Sequence, residues 1–331
     1  MVKDPAPHSS LTRPGEAFPI SPLPSEKETV FFGPNGLRAG WRILIFLVLL
    51  FTLLLVLSLP FSRFLHSFRT NPITPAEAIA GEGLGVIALL LAAGIMTRME
   101  GHSFADYGLP LRQAFGTRFW QGVLLGFVML TILLAIIATL HGFSLGRFAI
   151  GARAAVGYGL AYALAFLLVG FFEEFCFRGY LQSTLASGIR FWPAAVILAV
   201  VFGAFHLSNP GETKLGAIMA GCFGLLAAFA LWRTGSVWLP IGMHASWDWA
   251  QSFFYSVPDS GVVAEGHLLS PSFHGATWLT GGPVGPEGSV FVFPVLLLWA
   301  LSICILFPRH KAPPRGLRLT SSNIPRWVRD L

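Results

Sequence analysis

Six side chains in the second half of this 331-residue sequence have the types and spacings that acid–base chemistry uses: Glu173, Glu174 and Arg178, then His206, then His244 and Asp248. Glu174 and Arg178 are four apart, so on a helix they share a face and can pair. Glu173 and Arg178 are five apart and diverge, which leaves Glu173 outside that pair. A structural ion pair at a membrane edge would account for Glu174 and Arg178, but a second acid beside a paired one needs another reason. His244 and Asp248 are again four apart. Their hydrogen bond either quiets both groups, or fixes the imidazole tautomer and raises its basicity. His206 alone on an apolar helix would ordinarily be a satisfied core residue. Taken together, two acids and two imidazoles on three apolar segments form the pattern of a reactive site rather than of a scaffold.

The segments that must position these groups are membrane helices. Hydrophobic residues make up 54% of the chain and charged residues 11%, against roughly 25% charged in a soluble domain. Eight apolar runs follow one another, near 42–62, 77–97, 119–141, 155–172, 192–207, 215–233, 236–256 and 288–307. Most approach the ~20 residues a spanning helix needs, and backbone in lipid must satisfy its own hydrogen bonds, so they read as helices. The fold class is all-α: a polytopic bundle of about eight transmembrane helices. With the N-terminus inside, 17 of the 22 Lys and Arg fall in inside segments and 5 outside, as the positive-inside rule requires. Both termini are then cytoplasmic. The net charge of +6 is a topology signal, and with no basic stripe on a soluble fold, nucleic acid is excluded as a partner.

Depth ties the segments together. If a helix hairpin turns near residue 190, before Trp192-Pro193, Glu173 lies 17 residues before the turn and His206 lies 16 after it. At ~1.5 Å per residue both sit roughly 25 Å from the turn and can face each other. This requires the fourth helix to run on past Glu173 to about Ser187, longer than a bilayer is thick.

EEFCFR at 173–178, FGAFH at 202–206 and HASWD at 244–248 together resemble the CAAX protease and bacteriocin-processing family of intramembrane proteases, also called abortive-infection-like. The family pattern is E-E-x-x-x-R, F-x-x-x-H, then H-x-x-x-N or a relative. Ser103-Phe-Ala-Asp-Tyr-Gly-Leu109 resembles a segment found upstream in bacterial members, so the resemblance covers about residues 98–256. It implies an intramembrane endopeptidase acting on a membrane-associated or prenyl/CAAX-like protein or peptide in a bacterial inner membrane. By position, Glu173 matches the residue that activates water, His206 and His244 match the essential histidines, and Glu174 with Arg178 matches the supporting pair. Asp248 stands where Asn is usual, which replaces a neutral amide by a potential anion. Peptide hydrolysis needs a base for water and a stabiliser for the oxyanion. A glutamate with two histidines supplies both. Alternatively Glu173, His206, His244 and Asp248 hold one divalent ion, such as zinc, that activates the water. No HExxH is present, so a zincin-type site is not supported.

The remaining chain divides into a polar, disordered cytoplasmic tail at 1–40, three N-terminal helices within 41–150, the catalytic helix core at 151–256, an exported loop at 257–287, and the last helix with a basic tail at 288–331. The loop is rich in Gly, Pro and Ser and carries no Lys or Arg. It reads as solvated, with a lid over the cavity as the minority reading. The basic tail from Arg309 to Arg329 suits anionic lipid. Cys176, Cys222 and Cys304 lie in apolar stretches and read as buried hydrophobes. Two other readings use the same residues: a transporter with a Glu/His proton or ion relay, disfavoured by the lack of a visible repeat, and a non-catalytic membrane scaffold or immunity protein of the same fold.

Overall fold

The computed structural model describes residues 30–33, 36–61, 72–209 and 211–308. The tail expected at 1–40 lies mostly outside these residues, and the basic tail from Arg309 lies wholly outside them.

Eight helices occupy the eight apolar runs: α1 (Ala39–Ser58), α2 (Pro75–Glu100), α3 (Thr117–Thr139), α4 (Ala152–Glu174 with its continuation), α5 (Phe191–His206), α6 (Lys214–Thr234), α7 (Trp238–Trp249) and α8 (Val292–Leu306). The protein is an all-α membrane bundle. Five of the helices are long and apolar enough to cross a bilayer by length and composition; α5 and α8 are shorter, at 16 and 15 residues. Local signals set several ends. Thr74 and Glu77 form a reciprocal capping box at the start of α2 with Pro75 in its first turn, and Gly101 closes it in the left-handed conformation, as caps at both ends require.

Helix α4 behaves as the depth argument asks. A π-helical turn, Phe175–Leu181, joins Ala152–Glu174 to Gln182–Ile189, so one apolar rod of 38 residues runs from Ala152 to Ile189. Arg190 turns the chain at φ +75° and α5 starts at once, with Pro193 in its first turn, where a missing N–H costs nothing.

Helix α7 is the axis of the bundle. Every residue from Trp238 to Asp248 is buried, and α3 and α4 cross it closely. A Cβ on Gly126 of α3 would sit 2.1 Å from Ser246 Oγ and 2.2 Å from the Met243 carbonyl oxygen. Small residues let membrane helices approach to backbone contact, and packing and hydrogen bonds then hold them.

One finding on charge and one correction on the loop follow. Arg42 is 2% exposed and pairs with Glu100 of α2. Tyr107 and Tyr180 also donate to Glu100, Tyr180 at 2.6 Å. This network joins α1, α2 and the π-turn, because buried charges must be paired. The segment 257–287, expected to be solvated, folds back onto the bundle instead. Its strand β2 (Ser272–Phe273) pairs antiparallel with β1 (Phe143–Ser144), and Ala264 bridges to Ile73. Val257, Ala264 and Val284 are buried. Apolar side chains within a turn-rich composition give the segment a reason to dock, and the composition alone hid it.

Candidate active site

The site is assembled from α2, α4, α5, α7 and the docked loop. Glu174, at the last α-helical position of α4, is fully buried. Its Oε1 accepts from Arg178 Nη1 at 3.0 Å and from His244 Nδ1 at 2.8 Å. The expected Glu174–Arg178 pair is present, therefore, but Glu174 also performs the task assigned above to Asp248: it holds the ring of His244 from the Nδ1 side. Asp248 Oδ2 lies instead 3.4 Å from the opposite nitrogen, Nε2. Sequence spacing pointed to Asp248 because i,i+4 is visible along one helix, whereas Glu174 reaches His244 across two.

Glu173 diverges from Arg178 and faces a cavity. Its side chain is 27% exposed, and its Oε2 lies 3.7 Å from His244 Nε2. That oxygen has no hydrogen-bond partner among the described residues. His206, the last residue of α5, gives Nδ1 to the carbonyl oxygen of Phe202 at 2.9 Å. A carbonyl only accepts, so the hydrogen is on Nδ1 and Nε2 is the nitrogen left for chemistry. Phe202 organises the cluster. Its ring lies 4.7 Å from the His206 ring and 6.3 Å from the His244 ring, and the Arg178 guanidinium stacks over it at 4.2 Å. Gly224 of α6 makes room for that guanidinium, since a Cβ there would be 2.6 Å from Arg178 Nη2.

Glu173, His206, His244 and Asp248 all line one cavity of about 260 Å³. Arg178 and Glu174 stay out of its lining and brace it from beneath. The cavity is large enough for several waters, each of which needs about 10–15 Å³ of such space. Its roof is the loop. Asp259 Oδ2 accepts from Ser252 Oγ at 2.9 Å, and Glu287 accepts from Trp247 Nε1 at 2.8 Å and from Ser260 Oγ at 2.8 Å. Both acids line the cavity. Burial, reinforced by the neighbouring Asp248 and Glu287 carboxylates, holds the Asp259 carboxyl well above the usual range.

Three contributors escaped the sequence reading. Asp259 and Glu287 carry no signal within a loop. Glu82 of α2 does carry one, as an acid inside the apolar run 77–97, and it too lines the cavity. Among the described residues, no three of His, Cys, Asp and Glu are grouped so as to hold a metal ion. Both histidines engage Nδ1 with an oxygen and leave Nε2 for a substrate or a ligand, an arrangement that metal-binding histidines also take.

Residues 155–250 match the family model described as type II CAAX prenyl endopeptidase Rce1-like. The matched stretch contains all three motifs and agrees with the family resemblance read from them. Neither a curated protein nor a solved structure matches the chain.

Proposed function

We propose that this protein is an intramembrane endopeptidase in which Glu173 activates water and His206 and His244 stabilise the oxyanion. One observation carries the reading: groups from α4, α5 and α7 that are up to 71 positions apart line a single cavity inside an apolar bundle. The match over residues 155–250 to the type II CAAX prenyl endopeptidase family supports the same reaction class. The substrate class is a membrane-associated peptide or protein.

Water between Glu173 Oε2 and the scissile carbonyl loses a proton to Glu173 as its oxygen bonds the carbonyl carbon. The carbonyl π pair moves to oxygen. His244, held through Nδ1–H by Glu174, presents Nε2–H to that oxyanion, and His206 does so from the facing helix. Donation from Nε2 requires both ring nitrogens to bear hydrogen, since Nδ1 of His244 donates to Glu174 and Nδ1 of His206 to the Phe202 carbonyl. Collapse of the intermediate breaks the C–N bond, and the departing nitrogen takes the proton from Glu173. Preorganised donors in a site walled by apolar helices act more strongly than donors in water. With the N-terminus inside, the cavity and its roof lie at the non-cytoplasmic end of the bundle.

The test is cleavage of a membrane-tethered peptide library by the purified protein and by Glu173→Ala, His206→Ala and His244→Ala. The wild type cleaves and each variant falls by at least about a hundredfold, the range seen for lost acid–base groups. Equal behaviour of all four proteins overturns the reading.

A further inference from the structure

Glu82 has no role in the reaction above, yet it is placed where a substrate must lie. It sits on α2 between Gly81 and Gly83, in a helix that is otherwise apolar at this depth. Three residues on, Gly85 packs against Phe172, where a Cβ would be 3.4 Å from the ring. Phe172 immediately precedes Glu173, so this crossing brings Glu82 within about one helical turn of the level of Glu173, and the two carboxyls and His244 interact electrostatically.

Three other acids of the cavity have partners within the protein, Asp248 beside His244, Asp259 with Ser252, and Glu287 with Trp247 and Ser260, and the fourth, Glu173, lies 3.7 Å from His244 Nε2. Glu82 makes no hydrogen bond or ion pair among the described residues. No Lys or Arg lines the cavity to balance these groups, and Arg178, just beneath it, is paired with Glu174. An intramembrane carboxylate without a partner is costly and is relieved by a proton or by a cation from elsewhere. The wall around Glu82 suits a particular kind of cation. Ala78, one turn earlier on α2, and Ala165, Phe166 and Val169 of α4 also line the cavity. Together they form an apolar slope that leads to a carboxylate, which fits a long aliphatic stem with a charged head.

Resting on the endopeptidase reading, we propose that Glu82 is a specificity-determining residue: it receives the cationic head of a Lys or Arg side chain in the substrate, near the bond to be cut. The apolar slope takes the methylene stem. A substrate with a neutral or acidic residue at that position leaves Glu82 without a partner and is disfavoured.

The test uses membrane-tethered peptides identical except for Lys or norleucine at each position flanking the cleaved bond. The quantity read is the ratio of kcat/KM for the Lys and norleucine members. The wild type favours Lys at one position by about tenfold or more, as expected for a charge pair shielded from water, and in Glu82→Gln that ratio falls to near one. A second measurement needs no variant: hexylammonium inhibits wild-type cleavage of the Lys peptide, and 1-hexanol at the same concentration does not. A wild type that cleaves with no Lys preference, a preference that survives Glu82→Gln, or equal inhibition by amine and alcohol overturns the role of Glu82 and leaves the endopeptidase reading standing. A wild type that cleaves none of the peptides overturns both.

Discussion

Glu174 holds two cationic or hydrogen-bearing groups at once, Arg178 and His244, through the same oxygen. Its neighbour Glu173 is left to face the cavity. The division of labour between adjacent acids therefore comes from helix geometry, which points consecutive side chains about 100° apart. The carboxylate behind an imidazole fixes its orientation, and losing such a partner typically costs 10–100-fold in activity. Glu174→Gln keeps the size of the side chain and removes the charge that both partners use. We expect kcat to fall about 10–100-fold with a smaller change in KM, and the thermal midpoint to fall as well, because Arg178 is left buried without its counter-charge. Steady-state kinetics together with a melting curve check this; an unchanged kcat would show that His244 does not depend on Glu174.

At the scale of elements, the loop 257–287 closes the cavity that the helices form. Its latch residues, Glu287 and Asp259, bind α7 and the turn that follows it. Asp259 is faced by Asp248 and His244 of α7 and by Glu287 of the loop itself; burial and the two acids raise its pKa, and His244 opposes them. Undocked, its carboxyl titrates in the ordinary range; docked, it titrates higher. The docking contribution is thus complete below the ordinary carboxylate value and is lost as pH rises through the raised one. Hydrogen exchange in this loop, corrected for the intrinsic pH dependence of exchange, is expected to quicken as pH rises across that window. Asp259→Asn is expected to flatten the change. Exchange that slows with rising pH would contradict the assignment. The latch was illegible in the sequence because Gly, Pro and Ser dominate the segment, and nothing local shows that Val257, Ala264 and Val284 meet apolar partners on the bundle.

At the scale of the whole molecule, the helix count, the long fourth helix and the turn at residue 190 could all be read from apolar run lengths and the placement of Trp192-Pro193. Counting residues on either side of that turn put Glu173 and His206 at matching depth, and both line one cavity. What counting could not give was contact across helices, Glu174 to His244 and Arg42 to Glu100, or the placing of Glu82 in the same cavity as Glu173. Each depends on how helices cross, and small residues set some of those crossings: Gly170 of α4 meets the backbone of α7, and Gly85 of α2 meets the ring of Phe172 on α4. Spacing along one helix is periodic and visible, whereas a crossing point is set by packing with distant segments.

The central claim is that Glu173, on α4, and His244, on α7, act as one unit on the same water and carbonyl. Residues that act as a unit give grossly non-additive losses. The direct measurement is kcat/KM for cleavage of one membrane-tethered peptide by the wild type, Glu173→Gln, His244→Asn and the double variant in the same proteoliposomes. The account predicts that each single variant loses most of the activity and that the double variant is no slower than the slower single. Losses that multiply, or a single variant that cleaves as the wild type does, would contradict it.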